Sequence, residues 1–222
     1  MSHRRLATVA SLAGLTALVV AMVAVRVAYS GNSYYQSLVW NLFLAWIPFV
    51  VALRVYDAHR HGSSRLPLWV GGVVWLVFFP NAPYIVTDFK WLNTWTGAPI
   101  WFDVVLVSAA AWCGLLLGFM SLYLMQAVVR RAVGTVNAWL FVLAVLVLSS
   151  FGIYLGRFLR WNSWDVVTRP DVLAAEIWPQ LVNPLEYPKT IAVTGLFTAF
   201  LAATYLVFYS LAGQSVQERI ER

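Results

Sequence analysis

The stretch VNAWLFVLAVLVLSSFGIYLGRF, Val136 to Phe158, carries no charged residue before Arg157. A hydrocarbon core of roughly 30 Å takes about 20 apolar residues in helical form. A span begun at Val136 therefore reaches the far boundary near Leu155 and delivers Arg157 and Arg160 to the headgroup layer. Five more blocks read the same way: Leu6 to Ala28, Leu38 to Val55, Leu66 to Val86, Trp101 to Val129 and Thr190 to Ala212. The expected fold is all-α, a polytopic bundle of six transmembrane helices that takes residues 1–222 as one integral membrane domain.

Orientation follows from the basic residues between the blocks, which favour the cytoplasm wherever loops are short. One side holds Arg4, Arg5, Arg54, Arg60, Arg65, Arg130, Arg131, Arg219 and Arg222 against Asp57, Glu218 and Glu221. On the other side Arg26, Lys90, Arg157, Arg160, Arg169 and Lys189 are matched by Asp88, Asp103, Asp165, Asp171, Glu176 and Glu186, so the whole net charge of +6 falls on the first. That side is expected to be cytoplasmic and to hold both termini, in a bacterial inner membrane. The basic balance is then topogenic and implies no nucleic-acid partner. Pro80 to Ile100 and Leu159 to Lys189 become the long outer loops.

Smaller readings fit this frame. Ala28-Tyr29-Ser30 loosely resembles a signal-peptide cleavage site, but the first block exceeds the usual apolar region of about 7 to 15 residues and reads as a retained helix. The lone Cys113 lies within a span, which leaves no disulfide framework and no thiolate metal site. His59 and His61 sit in a short basic loop without a third ligand, and no histidine lies inside a span to hold haem. No metal and no cofactor is expected. Gly114 with Gly118, and Gly152 with Gly156, are small-xxx-small pairs that predict close helix contact in lipid. Pro48 predicts a kink in the second span.

Two constellations concentrate the unusual chemistry. The first is FFPNAPYIVTDFKW, Phe78 to Trp91. Helix from Leu66 to Phe79 would cover only about 21 Å, so the third span must continue through Pro80 and Pro83 and be broken there. Each proline lacks an amide and frees carbonyls at a depth without water; Asn81, Thr87 and Asp88 are the groups at hand to satisfy them. The second is GIYLGRFLRWNSWD, Gly152 to Asp165. If the helix continues, Tyr154, Arg157, Trp161 and Asp165 share a face, with Arg160 beside them. Asp103 opens the fourth span, where the helix dipole favours an anion. The expected result is one outer polar cluster of Asp88, Asp103, Arg157 and Arg160.

Three motifs in this order, Trp40-Asn41-Leu42-Phe43-Leu44-Ala45-Trp46-Ile47-Pro48, Pro80-Asn81-Ala82-Pro83-Tyr84 through Thr87-Asp88, and Tyr154 through Asp165, resemble the family of bacterial multipass membrane proteins called domain of unknown function 1361. The resemblance implies an integral membrane protein and brings no activity with it.

Three functions fit these residues. In the first, favoured here, the outer cluster binds or transports an anionic solute or lipid headgroup, with Arg157 and Arg160 as anion ligands and Asp88 as a gating or proton-coupled partner. Asn81, Tyr84, Thr87, Asp103, Trp161 and Asp165 complete the candidate ligand set. In the second, Asp88 or Asp165 serves as general base and Asp103 as its counterpart in an enzyme acting on a lipid-linked substrate. In the third, the charged residues pin the bundle of a structural or assembly subunit. The bilayer is the expected partner throughout, and the sequence assigns no oligomeric state.

Overall fold

The computed structural model describes residues 3–62, 64–92 and 97–217. Of the charges weighed for topology, Glu218, Arg219, Glu221 and Arg222 lie outside the described residues. The helices are α1 (His3–Ser30), α2 (Gln36–Arg60), α3 (Arg65–Phe78), α4 (Asn81–Tyr84), α5 (Ile100–Val133), α6 (Thr135–Tyr154), α7 (Asp165–Thr168), α8 (Pro170–Val182) and α9 (Pro188–Gln217). A 3-10 helix (Ile85–Trp91) follows α4, a π turn (Leu155–Leu159) ends α6 and a short 3-10 turn (Pro184–Glu186) precedes α9. No strand occurs among the described residues. Six stretches are long and apolar enough to cross a membrane: Arg5–Ser30, Gln36–Arg60, Leu66–Trp91, Ile100–Val133, Thr135–Leu159 and Pro188–Ala212. The protein is a six-span helical membrane protein.

α5 is the hub. Of its most apolar window 61% is buried inside the protein, against 17% for α1 and 11% for α9. Those two helices therefore stand at the periphery and turn most of their side chains outward, as lipid permits. α2 packs on α3 and α5, while α9 packs on α6. Polar side chains at mid-span find partners across helices. The Trp75 indole donates to Ser121 at 3.2 Å, the Tyr205 hydroxyl to Gln126 at 2.7 Å and the Trp46 indole to Thr16 at 3.0 Å.

The third span is interrupted at its prolines, yet the backbone stays helical there. Pro80 keeps helical dihedrals (φ −59°, ψ −24°), and only the hydrogen-bond ladder shifts. The Ala82 amide turns to the Phe79 carbonyl at 3.1 Å. The Phe78 carbonyl is capped instead by the Asn81 side chain at 2.9 Å, and Thr87 caps the Tyr84 carbonyl at 2.7 Å. Asn81 thus serves a carbonyl opened at the prolines, whereas the Tyr84 carbonyl that Thr87 caps lies at the start of the 3-10 helix that follows.

All four glycines of the small-xxx-small pairs close on this segment. A Cβ on Gly114 would lie 2.5 Å from the Ala82 carbonyl oxygen and one on Gly118 3.1 Å from Ala82 Cβ; on Gly152 it would lie 3.0 Å from Pro80 and on Gly156 3.1 Å from Tyr84. The proline segment is thus gripped between α5 and α6 at the end where both long loops lie, termed the loop end. The opposite end, where α1 begins, is termed the terminal end.

The loop from Leu159 to Lys189 is more ordered than its sequence suggests. It folds into α7, α8 and a 3-10 turn, and Leu173 and Gln180 of α8 are buried.

Candidate functional site

Arg157 is delivered by the π turn. Widening the last turn of α6 shifts the side chains that follow relative to a regular helix, and the turn is closed by the Trp161 amide on the Leu155 carbonyl at 3.2 Å. Arg160 then takes a left-handed conformation (φ 63°, ψ 32°). Among the described residues it is the one non-glycine with positive φ, a conformation that costs an L-residue roughly 1–2 kcal/mol. The helix stops there. The expected face running from Tyr154 through Arg157 and Trp161 to Asp165 therefore does not form, because the chain reverses before Trp161.

Arg157 closes a clasp of three spans. Its Nε donates to Thr87 Oγ1 at 2.6 Å, its Nη2 donates to Asp88, and its guanidinium lies 4.3 Å above the Tyr84 ring. The other oxygen of Asp88 accepts from the Asn41 amide of α2 at 2.8 Å. The Arg157 and Asp88 side chains are only 7% and 2% exposed. Buried charges persist in such a setting when paired and hydrogen-bonded on their remaining positions, and this pair meets that condition.

The single cluster expected from sequence is divided in the structure. Asp103 pairs with Arg26 of α1, through Nε at 2.6 Å and Nη2 at 3.2 Å, and both side chains are buried. Asp103 is thus joined to α1 and not to Arg157 or Arg160. In low dielectric a carboxylate takes the nearest guanidinium, and helix packing sets that neighbour. Asp165 is separate again. It accepts from the Asn162 amide at 2.8 Å and from Arg169 at 2.9 Å, and these contacts, the Asn162 amide first, hold its carboxyl below the ordinary aspartate range. It organises the turn that starts α7. Arg160 is exposed, and among the described residues it forms no ion pair.

Beside the clasp lies a cavity of about 500 Å³ between α2, the proline segment and α6, roofed by the residues after Arg160. Asn81, Tyr84, Arg160 and Trp161 of the expected set line it, whereas Thr87, Asp88, Asp103, Arg157 and Asp165 do not. Asn81 bridges its floor and roof by donating to Ser163 at 2.8 Å. Two polar atoms in the wall, Ser149 Oγ and Trp161 Nε1, are buried with no hydrogen-bond partner among the described residues. Ser149 is 1% exposed. Its neighbour Ser150 bonds back to the Leu146 carbonyl at 2.8 Å, so the bond that Ser149 forgoes is available to a serine in this helix. A buried hydroxyl without a partner costs about 1–3 kcal/mol, which makes both atoms receptive to a ligand or water. Trp40 and Leu148, each 52% exposed, stand in the wall and face outward, so the cavity borders lipid.

Sequence reasoning missed Asn41 and Ser149. Each is a polar residue inside an apolar block, and that is the signal that marks intramembrane polar groups as functional candidates.

Residues 40–204 match the family described as "Protein of unknown function (DUF1361)". The chain belongs to that family. The match to DUF1361 begins at Trp40, in the cavity wall, and takes in Asn41, Asp88 and Arg157 of the clasp and Arg160 at the mouth. It leaves α1, with Arg26, outside. No curated protein and no solved structure matches the chain.

Proposed function

We propose that the loop-end cavity binds an anionic amphiphile, with the phosphate or carboxylate of its headgroup on Arg160 and its apolar part along Trp40, Leu44, Leu76 and Leu148. The observation that carries this is a conformationally strained arginine at the mouth of a cavity whose wall holds two buried polar atoms, none of the three having an ion-pair or hydrogen-bond partner of its side chain among the described residues. A guanidinium presents a fork suited to phosphate or carboxylate oxygens. The volume falls within the usual range of roughly 300–1,000 Å³ for ligand pockets. Trp161 Nε1 would add a donor beside the headgroup, and Ser149 would take a polar group lying deeper along α6.

The carboxylates weighed as catalytic groups give the enzyme reading no footing. Asp88, Asp103 and Asp165 are each held by an arginine and stand outside the cavity wall. Asp88 and Arg157 serve the proposed function by holding the cavity's frame. With the arginine excess on the cytoplasmic side, the cavity faces the outer leaflet of a bacterial inner membrane and both termini lie inside.

The test is native mass spectrometry of the purified protein. The wild type should carry a specific acidic adduct. Arg160→Gln should lose it while remaining monodisperse and folded, and Ser149→Ala should weaken it. An adduct equally abundant in Arg160→Gln defeats the reading.

A further inference from the structure

A second cleft lies at the terminal end, between α1 and α2, with α5 as its floor. Its volume is about 660 Å³. Phe49, Leu53, Met120 and Leu124 form an apolar base, while Arg5, Asp57 and Arg60 stand at its rim.

The charge at that rim is unbalanced. Arg5 spans from α1 to α2 and holds both oxygens of Asp57, at 2.7 and 2.8 Å. This engages both oxygens of the acid and leaves Arg5 Nε buried with no partner among the described residues. Arg60 receives no carboxylate among the described residues. Its guanidinium lies 6.0 Å from the Tyr56 ring centre, and Arg131 of α5 lies 5.7 Å from the same ring. Two guanidinium groups gathered on one tyrosine repel unless an anion sits near them. Phe49 and Tyr56 are separated by about 10 Å along α2 at 1.5 Å per residue, so the cleft runs from a cationic rim toward the apolar interior.

We infer that this cleft is a binding site for the phosphodiester headgroup of an anionic phospholipid, distinct from the loop-end cavity. The phosphate sits at Arg60 and the free Nε of Arg5, and one acyl chain lies along Phe49, Leu53, Met120 and Leu124. A guanidinium fork engages phosphate bidentately. Basic pockets between transmembrane helices bind acidic headgroups in this way. The apolar base is what selects lipid over free phosphate, since inorganic phosphate would use the rim alone. Asp57, neutralised by Arg5, positions that arginine at the rim and leaves the cleft with a single uncompensated positive charge on Arg60.

The experiment is thermal unfolding of delipidated protein in a neutral detergent, with phosphatidylglycerol, phosphatidylcholine or inorganic phosphate added. Phosphatidylglycerol should raise the midpoint in a saturable way, and the other two should not. Arg60→Gln should weaken the response about tenfold or more, and Arg60→Lys, which keeps the charge and loses the fork, should fall between. Arg60→Lys also keeps the test decisive if Arg60→Gln folds poorly. In the Arg160→Gln protein, whose loop-end cavity has lost its anion ligand, a saturable phosphatidylglycerol response should persist, and adding Arg60→Gln should weaken it. An unchanged response in both Arg60 variants overturns the inference, as does a response abolished by Arg160→Gln, which would belong to the loop-end cavity. Equal stabilisation by inorganic phosphate would overturn the lipid assignment and leave a site for free phosphate.

Discussion

Arg160 and Arg157 are three residues apart and have opposite fates. Arg157 is absorbed by Asp88, Thr87 and Tyr84, whereas Arg160 sits in the left-handed region and stays exposed, with no ion pair among the described residues. Strain of this kind persists where surrounding structure fixes it, often at functional positions. Arg160→Gly should therefore stabilise the protein by about 1 kcal/mol, read by denaturant unfolding in mixed micelles, and abolish the acidic adduct; a loss of stability would show that the side chain holds the fold. Arg157→Gln or Asp88→Asn should each destabilise by about 3–5 kcal/mol, because each leaves a buried partner uncompensated. The double change to Arg157→Met with Asp88→Leu should cost less than either in the same assay. At Asp165 the sign follows from a lowered carboxyl pKa: the stabilisation is present above the ordinary aspartate range and is lost as pH falls through the lowered value. Hydrogen-exchange protection of residues 162–169, taken relative to the intrinsic rate at each pH, should fall in acid, and Asp165→Asn should remove that dependence.

The proline segment is the element that organises the loop end. Its two prolines remove donors, Asn81 caps a carbonyl so opened, and four glycines at α5 and the end of α6 let it pack closely, at backbone contact in the case of Gly114. Gly114→Ala would force a methyl against the Ala82 carbonyl oxygen and should cost about 1–3 kcal/mol. Gly14→Ala in α1 and Gly195→Ala in α9 meet nothing within 4 Å. Those two should be neutral or stabilise by up to about 1 kcal/mol through helix propensity. Equal losses at all three positions in an unfolding titration would mean that propensity, not contact, governs the glycines. The π turn is a second element-scale device: by ending α6 at Arg160 it lets the following chain fold back as a roof over the cavity.

At the scale of the whole molecule, α5 carries the core and the peripheral helices meet the surrounding lipid. The charge excess sits opposite to the loop end, and the proposed orientation has a direct test. In a Cys113→Ala background, an impermeant maleimide added to intact cells should label Leu185→Cys in the loop before α9 and spare Ser64→Cys between α2 and α3. The reverse pattern would invert the topology, placing the loop-end cavity at the cytoplasm and the basic cleft outside.

The six spans, the charge asymmetry and the special character of Pro80 to Asp88 were legible in the residues alone, because transfer into lipid is a local property of each segment. Glycine spacing likewise announced which helices would touch something closely, though not that both pairs would close on the same segment. Pairing was decided only by tertiary structure. Asp88 took Arg157 and Asn41, Asp103 took Arg26, and Arg160 was left for the cavity, because an ion pair depends on distances between segments far apart in the chain and those distances are set by packing. The cavity itself has the same origin: it is the space that α2, the proline segment and α6 leave between them once their glycines and prolines have met.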